Sequence, residues 1–187
     1  PEGRHNMPVS LPSGLFILKF REISFEVNVM LEDILRQIRT ILQNQLPNKL
    51  DQIEQERADG VSLEDVQSFL IQTFPREGTH LKYPAIYLLG LETTGANAIS
   101  RRRELRHPIS IWVIDRVVSP DSELPQTRLL RYVEAVERIL ASDPSLGARA
   151  IDSVITRHVH LLKEGKDFVR RAILYLEVLE RPSTNNY

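Results

Sequence analysis

The sharpest cluster of charge in this sequence is a run of arginines in the middle of the chain. Arg101, Arg102 and Arg103 are consecutive, and Arg106 and His107 follow closely. Guanidinium groups suit both phosphate and carboxylate partners, so the run predicts a contact with one of them; the alternative is a solvated loop end. No aromatic residue is interleaved with these arginines, which argues against a platform that stacks single-stranded bases.

Two histidines, His158 and His160, lie two residues apart and share one face of a predicted strand. Such a pair can ligate a metal, but no Asp, Glu or Cys at ligand spacing joins it, so a solvated or interface pair is preferred. The chain contains no cysteine, which excludes disulfides, thiolate metal sites and cysteine nucleophiles. We therefore predict no metal and no cofactor.

Sequence patterns that carry a known catalytic mechanism are absent. There is no Walker-type loop, no G-x-G-x-x-G, no G-x-S-x-G and no H-E-x-x-H. Carboxylate pairs such as Glu134 and Glu137 are typical of exposed helix or strand faces, and the sequence does not indicate a cleft in which they would act as an acid–base pair. The protein is therefore predicted not to be an enzyme, and a small enzyme with an unrecognised cleft is the weakest alternative.

Composition describes a folded domain without a general affinity for nucleic acid. The 187 residues are 42% hydrophobic and 26% charged, and 24 Lys and Arg balance 25 Asp and Glu to a net charge of -1. A basic excess that would attract phosphate backbones is missing, so any nucleic-acid contact must be local. No apolar run approaches the roughly 18 residues of a membrane span, which predicts a soluble protein with no membrane partner.

The elements of the first half are predicted to be mainly helical. Residues 1–14 are rich in proline and form an arm, and the apolar, partly alternating residues 15–27 predict a strand or small hairpin. Asn28 caps an amphipathic helix, which reaches Pro47 and continues as a kinked or second short helix. Another amphipathic helix is predicted over 62–74.

The second half has the pattern of strands around one helix. Strands are predicted over 85–91, 105–117, 151–161 and 168–180, with a helix over 129–140 between the second and third. This order predicts an α+β fold: N-terminal amphipathic helices and a four-stranded, mainly antiparallel sheet (β-β-α-β-β) with helices on one face.

Two of the predicted strands carry apolar side chains on both faces. Trp112 opposes the core side of its strand, and Ile173, Tyr175 and Leu179 oppose the core side of the last strand. A sheet with one solvated face alternates more cleanly, so its second face is predicted to be covered, either by the apolar N-terminal strand or by a neighbouring subunit. These four residues are our candidate subunit contact.

A polar loop over 92–104 joins two predicted antiparallel strands with more chain than a hairpin needs. Such long loops are functional or disordered, which makes this one the candidate partner surface. Its candidate interface or lumen residues are Thr93, Thr94, Asn97, Arg101, Arg102 and Arg103.

The chain resembles the tail-terminator and tail-completion proteins of tailed bacteriophages over roughly residues 28–180. The resemblance lies in YPAIYLLG at 83–90, ISIWVI at 109–114, LRYVEAVERIL at 130–140 and the closing hairpin. It implies a small α+β subunit of a hexameric ring that caps the tail tube, docks onto the head connector and leaves a channel for DNA. The partners it implies are other copies of the chain, the tail tube protein and the connector, with DNA passing unbound, in a virion assembled in the host cytoplasm.

The family shares no catalytic residues that could be transferred to this chain. The resemblance divides it into an arm or strand segment (1–27), one domain (28–180) and a polar tail (181–187). Residues 1–27 are longer and more apolar than such a subunit requires. The alternatives are another neck ring, such as a connector stopper, the same subunit in a tail-like or gene-transfer particle, or a nucleic-acid-binding α+β module that uses the 101–106 region.

Overall fold

A computed structural model describes residues 13–71, 82–91, 94–96, 104–116, 123–162 and 169–180. In chain order the elements are α1 (Ser13–Arg57), β1 (Ser68–Ile71), β2 (Ala85–Gly90), β3 (Thr94–Ala96), β4 (Glu104–Arg116), α2 (Leu124–Ser142), β5 (Asp152–Leu162) and β6 (Val169–Glu180).

The strands form one mixed sheet. Within the described residues their order is β1-β2-β4-β6-β5, and the short β3 pairs with the start of β4. β1 runs parallel to β2, whereas the β2–β4, β4–β6 and β5–β6 pairs are antiparallel. The four predicted strands are β2, β4, β5 and β6. The α+β class and the β-β-α-β-β order are therefore confirmed, and β1 and β3 are additions to them.

Both helices pack on one face of the sheet, as predicted. Alternate residues of the central strands, such as Ile86, Ile111 and Leu174, point to this face and share one core with α1 and α2. The three-four spacing of α1 places a continuous apolar stripe in that core: Leu31, Ile34, Leu35, Ile38, Ile41, Leu42, Leu46, Leu50 and Ile53. Each such side chain stabilises the fold by about 1.5–3 kcal/mol through burial.

The strand predicted over 15–27 is wrong, because these residues belong to α1, which is continuous from Ser13 to Arg57. Once a helix is nucleated, each further residue adds a backbone hydrogen bond without needing a partner strand. The strong helical pattern that begins at Leu31 therefore extends towards the N-terminus, and the short alternation at 23–27 has no influence on the backbone.

Pro47 lies inside α1 and does not end it. A proline in a helix interior costs about 3 kcal/mol, because it removes a donor and its ring clashes with the preceding turn. Leu46, Leu50 and Ile53 are all at most 2% exposed, so the apolar stripe is buried on both sides of the proline. Their burial offsets the cost, and the alternative of a separate second helix is wrong.

The helix predicted over 62–74 is also wrong for residues 62–71, and residues 72–74 lie outside the described part of the chain. Residues 61–67 form no regular element, and Ser68–Ile71 form β1. Phe69 and Ile71 pack against the core with the period of a strand, so the apparent helical spacing of the apolar residues was misleading. Pairing with β2 supplies the backbone hydrogen bonds that a helix would have supplied.

The helix predicted over 129–140 is confirmed as α2, and Ser142 and Asp143 lie at its C-terminal end. The helix ends at Ser142, and the backbone N–H of Asp143 donates to the Leu140 carbonyl at 3.3 Å. The Asp143 carboxylate then accepts a hydrogen bond from the backbone N–H of Gly147 at 2.7 Å. This closes the turn that carries the chain towards β5.

Candidate functional site

The four predicted contact residues lie together on the sheet face that points away from the helices, which we call the outer face. In the register of β4 and β6, Trp112 is opposite Ile173, and Tyr175 and Leu179 follow on the same side of β6. Their neighbours Ile111 and Leu174 point into the helix-packed core. Because side chains alternate along a strand, the four residues must face the other way.

The outer face continues onto β5 because of a β-bulge. The register with β6 shifts between Ile155 and Arg157, so Ile155 packs in the core while Arg157 and Val159 face outward. The Thr156 hydroxyl at the bulge donates to the Tyr175 carbonyl at 3.2 Å. Ile155 and Val159 therefore lie on opposite faces of β5, whereas strict alternation would place them on one face.

Arg157 and Val154 are outer-face residues that the sequence analysis did not single out. The Arg157 guanidinium carbon lies 5.8 Å from the centre of the Tyr175 ring, a cation–π contact. Val154, opposite Glu177 on β6, is 54% exposed. The two side chains share this face only because of the bulge. The sequence of β5 contains no residue type that predicts a bulge at this position.

Exposure on the outer face increases from the β2 side towards β5. Tyr87, Ile114 and Ile173 are 2%, 7% and 5% exposed, whereas Val154 is 54% exposed. Ile173 therefore offers little area for a new contact, although it lies on the predicted surface. The accessible part, which we call the β5–β6 patch, consists of Val154, Arg157, Val159, Tyr175 and Leu179.

Two buried polar atoms lie on the β2 side of the outer face. The Tyr87 hydroxyl and the Arg171 Nε have no hydrogen-bond partner among the described residues. Burial, with a smaller contribution from the nearby Tyr83, raises the pKa of Tyr87 to about 12, and the Arg171 charge opposes the shift. Tyr87 therefore stays neutral across the physiological range.

The residues of the candidate loop are only partly described. Thr94 begins β3 and pairs with Arg106 of β4, whereas Thr93, Asn97, Arg101, Arg102 and Arg103 lie outside the described residues. The Arg106 guanidinium lies 3.1 Å from the Glu177 carboxylate, in an exposed pair worth at most about 1 kcal/mol.

Two of the three remaining candidate basic or metal-binding histidines, His107 and His158, contact carboxylates, and the side chain of His160 lies outside the described part of the chain. His107 is fully buried, and its Nε2 lies 3.1 Å from the Glu180 carboxylate. His158 points to the helix side, where its Nδ1 lies 2.8 Å from the Glu137 carboxylate of α2. In the described part of the chain, no three His, Cys, Asp or Glu side chains are grouped as metal ligands.

A buried polar cluster connects β4 to α2 and to the segment between α1 and β1. Asp115, 2% exposed, has its Oδ2 3.2 Å from the Arg128 Nε, and Arg128 also reaches Glu64 at 3.6 Å. The Tyr132 hydroxyl donates to the Glu64 carbonyl at 2.8 Å. Burial raises the pKa of Asp115, and the Arg128 charge opposes this shift.

We expect the stability of Asp115→Asn relative to wild type to be greater at neutral pH than in acid. The raised pKa means that the ionised carboxylate is less favourable in the folded chain than in the unfolded chain. As the pH falls through the raised pKa towards the ordinary value of 3.8, the wild type gains stability by taking up a proton, and the amide cannot. The stability of the variant relative to wild type should therefore fall in acid.

The measurement is urea unfolding of both proteins at neutral and acidic pH. Asp152→Asn, at an exposed position at the start of β5, is the matched control. The free energies of unfolding of Asp115→Asn and wild type should differ by different amounts at the two pH values. An equal difference at both would contradict the expected role of burial.

Comparisons with known proteins include a partial structural similarity. No protein-family model matches the sequence, and no curated protein matches it either. A chain from the virion of a native gene transfer agent (GTA) particle aligns with a TM-score of 0.39 and 16% identity. The alignment covers 75% of this chain and 95% of the other.

Among the described residues, neither helix has an apolar stretch long enough to cross a membrane.

Proposed function

We propose that this chain is a structural subunit of a virion: a tail-terminator or neck protein whose copies form a hexameric ring. The ring would cap the tail tube and join it to the head connector, and DNA would pass through its channel without specific binding. In this proposal the protein is not an enzyme, needs no cofactor, has no membrane partner and is assembled in the host cytoplasm. It rests on the sequence resemblance to tail terminators and on the outer face of the sheet.

The observation that carries the proposal is the β5–β6 patch. A sheet face that only meets water carries polar side chains, whereas this one presents valine, leucine and tyrosine beside an arginine. Tyrosine and arginine are among the residue types that dominate the energetics of protein interfaces. A second copy of the chain is the occupant we propose for this patch.

A ring needs two different surfaces on each subunit, because heterologous contacts close by rotation. The patch supplies one of them, at the β5 end of the sheet. The opposite end, formed by β1 and α1, is well separated from the patch because three strands lie between β1 and β5. The molecule therefore has room for two independent contacts without overlap.

Native mass spectrometry over a range of concentrations, with negative-stain images of the same sample, tests the proposal. We expect a sixfold species with a central hole, either alone or after addition of purified tail tubes. A chain that stays monomeric under both conditions would contradict the ring.

The nucleic-acid-binding alternative makes an opposite prediction. Binding of duplex DNA that falls steeply with salt, and is lost when Arg101, Arg102 and Arg103 are replaced by glutamine, would support it. The pairing of Arg106 with Glu177 leaves that arginine less available to phosphate. For a ring subunit we expect only weak DNA binding that these substitutions leave unchanged.

A further inference from the structure

A cavity of about 600 Å³ lies between α1 and the edge strand β1, at the end of the sheet opposite the β5–β6 patch. Its lining combines apolar and charged side chains from the two elements: Leu31, Glu32, Arg36, Arg39, Phe69, Leu70 and Ile71. None of these residues belongs to the β5–β6 patch, so the patch does not explain the cavity.

The two arginines of the cavity differ in their partners. The Arg36 Nε donates to the Glu32 carboxylate at 2.9 Å, so the charges of that pair compensate each other. The Arg39 Nε is shielded from solvent and has no hydrogen-bond partner among the described residues. Because a buried donor without an acceptor is costly, a ligand that brings an acceptor to Arg39 gains binding energy there.

The backbone of β1 offers a second set of donors and acceptors. Gln67, just before β1, donates its backbone N–H to the Pro84 carbonyl at 2.8 Å. Backbone groups of successive strand residues point to alternate sides, so those of Phe69 also face β2, while those of Ser68 and Leu70 face away. No described strand pairs with that side of β1, which leaves an edge where an extended chain can add.

We propose that this cavity binds an extended, acidic segment of a partner protein. The segment adds to β1 as a strand, places a carboxylate against Arg39, and packs the methylene groups of its acidic side chains against Leu31 and Phe69. Strand addition supplies affinity through the backbone, and side chains supply specificity. The apolar lining and the strand edge favour a peptide over a phosphate backbone. The inference goes beyond the proposed function and does not require a ring.

The probe is the peptide acetyl-Thr-Glu-Val-Glu-Val-Glu-Thr-amide, in which alternate glutamates share one face of a strand. The control peptide carries glutamine at the same positions. Isotope-labelled full-length protein is titrated with each, and we follow the amide signals of Ser68 and Leu70 and the Nε signal of Arg39. The glutamate peptide should shift these signals saturably, and the glutamine peptide should bind roughly tenfold more weakly, as expected for loss of charge-assisted hydrogen bonds.

Two variants test whether a carboxylate of the peptide binds at Arg39. Arg39→Gln should weaken the binding of the glutamate peptide by roughly tenfold or more, so that the variant binds both peptides with similar affinity. Arg39→Lys, which keeps the charge but lacks the Nε donor, should bind with intermediate affinity. Arg149→Gln, at an exposed position in the turn after α2, is the matched control and should bind like wild type. Thermal unfolding of each variant verifies that the fold is kept.

Three results would overturn the proposal. The first is equal binding of the two peptides, and the second is unchanged binding by Arg39→Gln. The third is a shift of the same signals by oligodeoxythymidylate but not by the glutamate peptide, which would make the cavity a phosphate site. Each of these outcomes is independent of whether the protein forms a ring.

Discussion

Replacing Leu42 with alanine should lower the free energy of unfolding by about 3 kcal/mol. Leu42 is 0% exposed in the middle of α1, where it belongs to the core shared by both helices and the sheet. The truncation removes apolar atoms from that core and leaves a cavity that the surrounding residues can only partly fill. Urea unfolding followed by circular dichroism measures the change.

The matched control for Leu42→Ala is Leu130→Ala. Leu130 belongs to α2 and is 44% exposed, so the same chemical change should cost less than about 1 kcal/mol. If the two substitutions lower the free energy of unfolding equally, Leu42 does not lie in a core between α1 and the sheet.

Replacing Val154 with lysine should convert the proposed ring into monomers. Val154 is 54% exposed in the isolated chain, so the subunit itself should fold normally. In a contact through the β5–β6 patch, the new ammonium group would be buried, and Glu177 opposite it is already paired with Arg106. We expect the contact to weaken by about 3 kcal/mol, which is roughly a hundredfold in dissociation constant.

Native mass spectrometry and sedimentation velocity on the same samples measure this change in assembly. Leu130→Lys introduces the same charge at a similarly exposed position of α2, away from the outer face, and should leave the oligomer intact. A ring that persists in Val154→Lys would contradict the assignment of the patch, and a ring lost in both variants would indicate a general effect of charge.

Periodicity in the sequence predicted most of the fold where several turns or a full strand repeat the same pattern. α2 and the strands β2, β4, β5 and β6 each carry such a repeat, which only one backbone conformation can bury. The errors fall on short patterns. The alternation at 23–27 and the helical spacing around Phe69 each span few residues, and both were overridden, by extension of α1 and by pairing with β2.

The candidate surface was predictable only as far as strict alternation holds. Trp112, Ile173, Tyr175 and Leu179 were assigned to one face from the period of two, and the register of β4 and β6 confirms that they share it. Their role in subunit contact stays a prediction. Arg157 escaped because one extra residue at Thr156 inverts the alternation in the middle of β5, whereas Val154 alternates regularly with the core residue Ile155.

That extra residue also bears on how the protein avoids uncontrolled aggregation. β5 is an edge strand of eleven residues among the described elements, and a flat edge of this length would be a template for open-ended addition of strands from other copies. The bulge at Thr156 interrupts the regular ladder of backbone groups and increases the local twist. Copies that meet at this end of the sheet are thereby directed to side-chain contacts on the face, which favour a closed assembly over a fibre.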